Sequence, residues 1–470
     1  MTAAPGRSYA GYVPKVRAVH HRPKILIAGA GVAGLETLLA LRSLLGGTVE
    51  IELLAAEPEF VYHPLAVAAP FGLGEVRRID LAAVAADHDA HLRLGALAAV
   101  DAAASVAQTE GGQALAYDFL VVAIGARRWP AIEGALTFTG GEDLEPFGEL
   151  IGRVRDGTVQ RLVFAAATDV GWLLPLYELS LFTATWARQS AIQDLSLTVV
   201  THESVALEAF GRTVSDAVAG LLADSSIELL TGRTAEEFDG RELLVKGGRT
   251  LAADAVVALP GLSGPAVHGL PRDAGGFIPT NRYGAVNGAD HVYAAGDGTA
   301  FPIKHGGVAA LQADAVASAI AARLGAVDRA RPFVPVLRGM LLTGAEPRYL
   351  RAVSNGHDRV SEVSLEPLWW PPAKIAGGHL APYLAHAGDP VFGRPPLVDR
   401  PAPAAKQALE DVRLEEREAV DLLLEMADAN ARRGSFEFAV LCLDAAEDVG
   451  GPLPTKRQED RRSWAHHHSL

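Results

Sequence analysis

The stretch from Pro23 to Leu35 constrains this chain more than any other. Ile25-Leu26-Ile27-Ala28 is a short apolar run of the kind that a parallel sheet buries on both faces. It leads straight into Gly29-Ala30-Gly31-Val32-Ala33-Gly34, and a helix is predicted from about Val32 to Ser43. Strand, glycine turn and helix together make a dinucleotide fingerprint. Gly29 permits the tight turn, Gly31 admits a pyrophosphate close to the backbone, and Gly34 lets the helix pack closely. The free N–H groups and the positive dipole end of the helix then point at the phosphate.

The next strand, Thr48 to Leu54, ends near two acids. An acid about 20 residues beyond the fingerprint binds the ribose in such turns, and that spacing brackets both Glu52 and Glu57. Alternation along the strand does not separate them. Glu57 is preferred because it follows the apolar run, at the carboxyl end where ligands bind. Phe60 to Leu65 then forms an aromatic loop placed to fold over whatever is bound.

Two later segments repeat the idea. Tyr117 to Arg127 is a buried strand that stops at Gly125, where backbone can approach a ligand. Asp290 to Gly298 is a strand followed by Gly296 and Asp297, an acid placed to accept a hydrogen bond from a polyol hydroxyl. Lys304-His305-Gly306-Gly307 opens a helix predicted over Gly307 to Leu324, and glycines at such a start bring N–H donors close to an electron-rich group. Lys304 either adds a positive charge there or is an exposed loop lysine, while His305 reads as a hydrogen-bonding loop residue.

Between these segments the pattern restarts. Strands are predicted at Gln160–Ala166, Ser196–Thr201, Ile227–Thr231, Glu242–Lys246 and Ala255–Leu259, completing one sheet, with helices at Leu173–Gln189 and Arg212–Ala223. The turn Ala165 to Trp172 carries one glycine, Gly171, where a second fingerprint needs three, so it admits a pyrophosphate less readily.

With 42 Lys and Arg against 56 Asp and Glu, the net charge of −14 argues against nucleic acid as a partner. The single cysteine, Cys442, removes internal disulfides, thiolate metal clusters and any two-cysteine redox centre, and it reads as a small buried hydrophobe. No metal site is predicted, and His466-His467-His468 reads as a tail. No run reaches the length of a membrane span, so a cytoplasmic protein is expected, with peripheral membrane contact left open.

These signals, in this order, make the chain resemble the flavoproteins with two dinucleotide folds: pyridine nucleotide–disulfide oxidoreductases, type II NADH dehydrogenases and sulfide:quinone reductases. The resemblance covers about Pro23 to Leu324. It implies an α/β fold with two Rossmann-like domains, and FAD as cofactor. Gly29, Gly31, Gly34 and Glu57 would take the adenosine diphosphate, Gly125 would lie beside the cofactor, and Asp297 would bind the ribityl chain. Gly306, Gly307 and the helix start would face the flavin pyrimidine edge, with Lys304 favouring the reduced anion.

The expected organisation is a flexible arm (1–22), an FAD-binding domain (23–155 and 255–330) split around a degenerate NAD(P)-like domain (156–254), an irregular proline-rich covering region (331–404), and an amphipathic helical hairpin with a tail (405–470). The hairpin, Lys406–Arg432 and Phe436–Val449, is rich in acids, which favours a protein partner or a second copy of the chain over a membrane surface.

Departures from the family pattern narrow the chemistry. The redox cysteines are missing, while Pro175-Leu176-Tyr177-Glu178 resembles the segment that follows the catalytic cysteine in sulfide:quinone-type members. A cysteine-free branch is implied, with Glu178 either a proton carrier or a first-turn acid complementing the helix dipole. The degenerate turn argues against direct NAD(P)H use. Trp369, Trp370, Pro371 and Tyr383 either line a quinone groove or merely cover the flavin domain. The implied activity is transfer of electrons through a non-covalent flavin to a quinone or similar acceptor, with Lys304 and Glu178 as its catalytic side chains. The alternative is a flavin-binding scaffold or sensor that recruits a partner through the hairpin.

Overall fold

A computed structural model describes residues 22–141, 144–168, 170–354, 359–386 and 452–468, with isolated positions between 420 and 447. Its first sheet has five parallel strands in the order Val292–Ala294, Phe119–Val122, Lys24–Ala28, Glu50–Ala55, Ala90–Leu94. Ile25, Leu26, Ile27 and Ala28 are fully buried at its centre, as an apolar run between two faces requires. From this strand the chain builds outward to one side, then returns to the other for Phe119–Val122 and Val292–Ala294. The order therefore switches between Lys24–Ala28 and Phe119–Val122, and a crevice opens at their carboxyl ends. The helices Val32–Leu45 and Gly306–Arg323 pack into one core, through Leu35 and Leu38 on the first and Ala313, Val316 and Ile320 on the second.

A second parallel sheet repeats the plan with Arg161–Ala165 at its centre, in the order Leu136–Thr137, Ala255–Ala258, Arg161–Ala165, Ser196–Val200, Ile227–Leu230. The helices Leu174–Gln189 and Arg212–Asp224 share its core through Leu176, Tyr177, Val214 and Val218.

Three expectations need correction. Glu242–Val245 does not join this sheet; it pairs antiparallel with Ala235–Phe238 and Arg249–Ala252. Gly247 and Gly248, at φ +94° and +78°, close the second of these hairpins, because only glycine adopts such angles without strain. The 331–404 region is not irregular throughout. Leu337–Leu341, Arg348–Ser354 and Arg359–Ser364 form an antiparallel sheet whose Leu337, Leu341, Leu350 and Ala352 enter the second sheet's core. Finally, Thr455–His468 is a helix rather than a tail. Most of the predicted hairpin, with Cys442, lies outside the described residues, as does the N-terminal arm. Of its described positions, Ala427, Leu443 and Ala446 bury against Leu453, with Trp464 packed beside them. No described helix is long and apolar enough to cross a membrane.

Candidate functional site

The crevice of the first sheet is a cleft of about 710 Å³, within the range of cofactor sites. Gly29, Gly31, Glu57, Gly125, Asp297 and Gly306 all line it. The turn is held by contacts that exclude side chains. A Cβ on Gly29, at φ +105°, would lie 2.3 Å from the Ala123 carbonyl oxygen, and one on Gly34 would lie 1.8 Å from that of Gly29. Gly31 is different, since a Cβ there would meet nothing within 4 Å. It caps the helix without a side-chain hydrogen bond, so the first-turn N–H groups face the cleft ready for an anion.

Glu57 is exposed on the cleft wall. Glu52 is buried on the strand itself, where its carboxylate takes Lys24 Nζ at 2.6 Å and Arg93 from the neighbouring strand. Burial pushes the Glu52 carboxyl up, but the two cations more than offset it and hold it below the usual range. We expect Glu57→Gln to weaken binding of a dinucleotide in the cleft about tenfold, a change of ~1.4 kcal/mol, in a fluorescence titration. Glu52→Gln is expected to leave that affinity within twofold and to lower the melting temperature instead.

Asp297 sits across the cleft on the turn after Val292–Ala294. Burial pushes its carboxyl up, opposed by Lys304 and Arg128. Gly306 begins the helix at the cleft wall; Gly307 lies behind it, where a Cβ would meet the His305 ring at 2.9 Å. The expected aromatic loop is a strand, Glu59–Tyr62, followed by a 3-10 helix from His63, and Phe60, Val61, His63 and Pro64 do reach the cleft.

A second chamber of about 220 Å³ opens off the first cleft and shares His63, Pro64, Arg128, Asp297, Gly306 and Ile375 with it. Its remaining walls come from the carboxyl ends of the second sheet: Phe138, Trp172, Pro175, Leu259 and Leu262, with Lys304, His305 and Lys374 as the polar groups. The Trp172 and His305 rings lie 4.2 Å apart. Lys304 Nζ donates to the Thr299 carbonyl and sits 3.8 Å from the centre of the Phe277 ring. Burial pushes its ammonium down to about 8, against the pull of Asp297 and Asp273. Burial, with nearby Lys374, pushes His305 down to about 3, so its ring is neutral at neutral pH, and its buried Nδ1 has no hydrogen-bond partner.

Lys374 is the residue that no sequence motif announces. Its Nζ lies 2.6 Å from Glu178 Oε2, with the lysine nearly buried and the glutamate wholly so. The Leu342 N–H donates to the other carboxylate oxygen at 2.8 Å. Burial raises the Glu178 carboxyl and Lys374 lowers it. Glu178 thus stands behind the lysine, lines neither cavity, and is no solvent-facing first-turn acid. The only available sequence signal was a lone charge in Pro371-Pro372-Ala373-Lys374-Ile375-Ala376. Trp369, Trp370 and Tyr383, open between lining a groove and covering the flavin domain, stand away from both cavities. Trp370 is 58% exposed. Trp369 donates to the Ala373 carbonyl at 2.9 Å, and the Tyr383 hydroxyl donates to Asp87 at 3.0 Å.

The fold is similar to that of the sulfide:quinone oxidoreductase from Aquifex aeolicus, at TM-score 0.67 and 19% identity, over 73% of this chain and 87% of that one. It is also similar to the ferredoxin reductase for the CYP199A2 system from Rhodopseudomonas palustris, at TM-score 0.54 and 21% identity, over 72% and 84% of the two chains. In sequence, the chain is 27% identical over 348 residues to the ferredoxin reductase component of chlorobenzene dioxygenase from Cupriavidus sp. (strain PS12), spanning 66% of this chain and 77% of that protein. The pyridine nucleotide-disulphide oxidoreductase family matches residues 23–322. With that match on a cleft built for a dinucleotide, the chain belongs to the pyridine nucleotide-disulphide oxidoreductase family and is an FAD-dependent oxidoreductase.

Proposed function

We propose that this enzyme passes electrons through non-covalent FAD to a quinone or comparable planar acceptor seated in the second chamber, without redox cysteines. The observation that carries this reading is the common wall: Asp297, Gly306 and Ile375 line both cavities, so an acceptor in one is adjacent to a cofactor in the other. In this reading residues 23–155 with 255–330 form the FAD-binding unit and 156–254 the degenerate second unit. FAD supplies the redox chemistry, and the chain supplies binding, orientation and electrostatics.

Gly29, Gly31 and Gly34 shape the turn that takes the pyrophosphate, Glu57 accepts from the ribose, Gly125 gives backbone access, and Asp297 accepts from the ribityl hydroxyls. The N-terminal end of the helix Gly306–Arg323, with Gly306 and Gly307, stabilises negative charge at the pyrimidine edge, and Lys304 adds a nearby cation. The apolar walls around Trp172 and Phe138 exclude water. Lys374, held by Glu178, presents its ammonium to the acceptor and holds a proton where oxygen charge develops on reduction. A lipid-soluble acceptor fits a cytoplasmic enzyme in peripheral contact with a membrane.

A second reading, a small iron–sulfur protein in place of the quinone, is favoured by the likeness to a ferredoxin reductase component. Anaerobic stopped-flow separates them. The flavin is reduced chemically or with NADH, then mixed with a soluble quinone or with a ferredoxin. Re-oxidation by quinone faster than about 1 s⁻¹, with a quinone KM raised about tenfold by Trp172→Ala, supports the chamber. A reduced enzyme that ignores quinone and is re-oxidised by ferredoxin replaces it.

A further inference from the structure

Glu36 and Glu178 stand at matching places in the two folds, each seven residues beyond a glycine of the turn that precedes its helix, Gly29 and Gly171. Both lie on the helix that follows that turn, and both are 0% exposed. Both carboxylates are directed at the same length of chain. Glu178 holds Lys374. Glu36 accepts the backbone N–H groups of His379 and Leu380, each at 2.7 Å. Gly377 makes the approach possible, because a Cβ there would lie 2.6 Å from Glu36 Oε2. Between the two anchors, the Ile375 N–H donates to the Tyr62 hydroxyl at 3.2 Å. The Ile375 side chain covers Gly306, where a Cβ would meet it at 2.9 Å.

We propose that residues 374–380 form a strap that retains the flavin, clasped by these two equivalent glutamates, and that a proton shared between Glu36 and Asp314 makes the Glu36 clasp pH-sensitive. The inference rests on the flavin ring lying beside Gly306. In it, Glu36 and Glu178 are positioning residues that act through Ile375 and Lys374.

Asp314, on the helix Gly306–Arg323, meets Glu36 over Gly378, where a Cβ would lie 3.3 Å from Asp314 Oδ2 and 3.6 Å from Glu36 Oε1. Two carboxyl groups crowded at one buried point disfavour double ionisation, and a proton held between them relieves it. Burial and the Glu36 charge push Asp314 up to about 8, against Arg331. Burial also raises Glu36, against the N–H groups of Leu380, His379 and Gly378. The strap's own titratable group here, His379, has its Nε2 3.9 Å from Asp314 Oδ1, and burial followed by Arg331 pushes it down, so it is neutral at neutral pH.

The clasped state therefore binds one proton more than an opened strap, in which both acids return to ordinary carboxylate values near 4. Opening becomes easier as pH rises from about 4 to about 8, by at most about tenfold per unit, and levels off above the Asp314 value.

The test is FAD release from the holoenzyme between pH 6 and 9, followed by the rise in free-flavin fluorescence. Wild-type release is expected to accelerate several-fold per unit up to about pH 8 and then flatten. Asp314→Asn, whose amide donates to Glu36 without a titrating proton, is expected to give a flat profile. Glu36→Gln is expected to release flavin about tenfold faster throughout. Amide exchange at His379 and Leu380 in the wild type, corrected for the intrinsic rate, should follow the same pH curve, and it needs no variant to fold. A flat wild-type profile, an Asp314→Asn slope equal to wild type, or pH-independent exchange at these two amides overturns the clasp. A protein that takes up no flavin overturns the cleft assignment instead, and the exchange profile then decides the clasp alone.

Discussion

Gly31→Ala is expected to yield a folded, colourless protein. The residue sits at φ −78°, an angle alanine adopts freely, and the added methyl meets no protein atom within 4 Å. As a helix cap, alanine is poorer than glycine by no more than about 1 kcal/mol. In the proposed cofactor placement, the methyl takes the open space beside the first-turn N–H groups that the pyrophosphate needs. FAD affinity should fall at least about 100-fold, or ~2.8 kcal/mol, while the melting curve of the apoprotein barely moves. Gly34→Ala makes the contrast. Its Cβ would lie 1.8 Å from the Gly29 carbonyl oxygen, so the helix must shift, and overpacking of this kind costs about 1–3 kcal/mol or more before any cofactor is added. An FAD titration and a thermal melt on each variant separate the two mechanisms. Wild-type FAD affinity in Gly31→Ala would show that the phosphates do not lie on this turn.

The second large effect belongs to the buried pair. Lys374→Met leaves the Glu178 carboxylate wholly buried with only the Leu342 N–H as partner, and removal of one member of such a pair costs about 3–5 kcal/mol. The double variant Glu178→Gln with Lys374→Met removes both charges and should recover most of that loss. The pH dependence has a definite sign. Without the lysine, burial raises the Glu178 carboxyl above its unfolded value, so the folded state binds the extra proton. The deficit of Lys374→Met relative to wild type therefore shrinks as pH falls and grows as pH rises. Urea unfolding at pH 5 and pH 8 measures it. A loss below about 1 kcal/mol at pH 8 would mean that the carboxylate finds water or another partner.

The two effects differ in how far the sequence reveals them. Gly29, Gly31 and Gly34 were legible because a strand, a turn with φ +105° and a closely packed helix are demands made on adjacent residues. The strands at Lys24–Ala28 and Phe119–Val122 were legible for a similar reason, since burial on both faces shows directly as an apolar run. The sheet at 337–364 was obscured by the prolines that precede it, which read as irregular chain although its buried leucines were present. Glu52 and Glu57 were inseparable by pattern, because a strand buried on both faces has no outward side. Lys24 and Arg93 on adjacent strands occupy Glu52, which leaves Glu57 on the cleft wall.

The sequence alone determined the dinucleotide turn and the parallel α/β plan around it, because both are written in neighbouring residues, and the resemblance carried by those residues pointed to the flavin family. The tertiary structure alone decided which tryptophan lines the second chamber, Trp172 rather than Trp369 or Trp370, and that Lys374 joins Lys304 and Arg128 there. It also brought Lys374 to Glu178 across 196 residues and Leu380 to Glu36 across 344. Contacts over such separations leave no periodicity. They arise because one late segment crosses two folds at once, and a buried carboxylate must take whatever donor that crossing delivers.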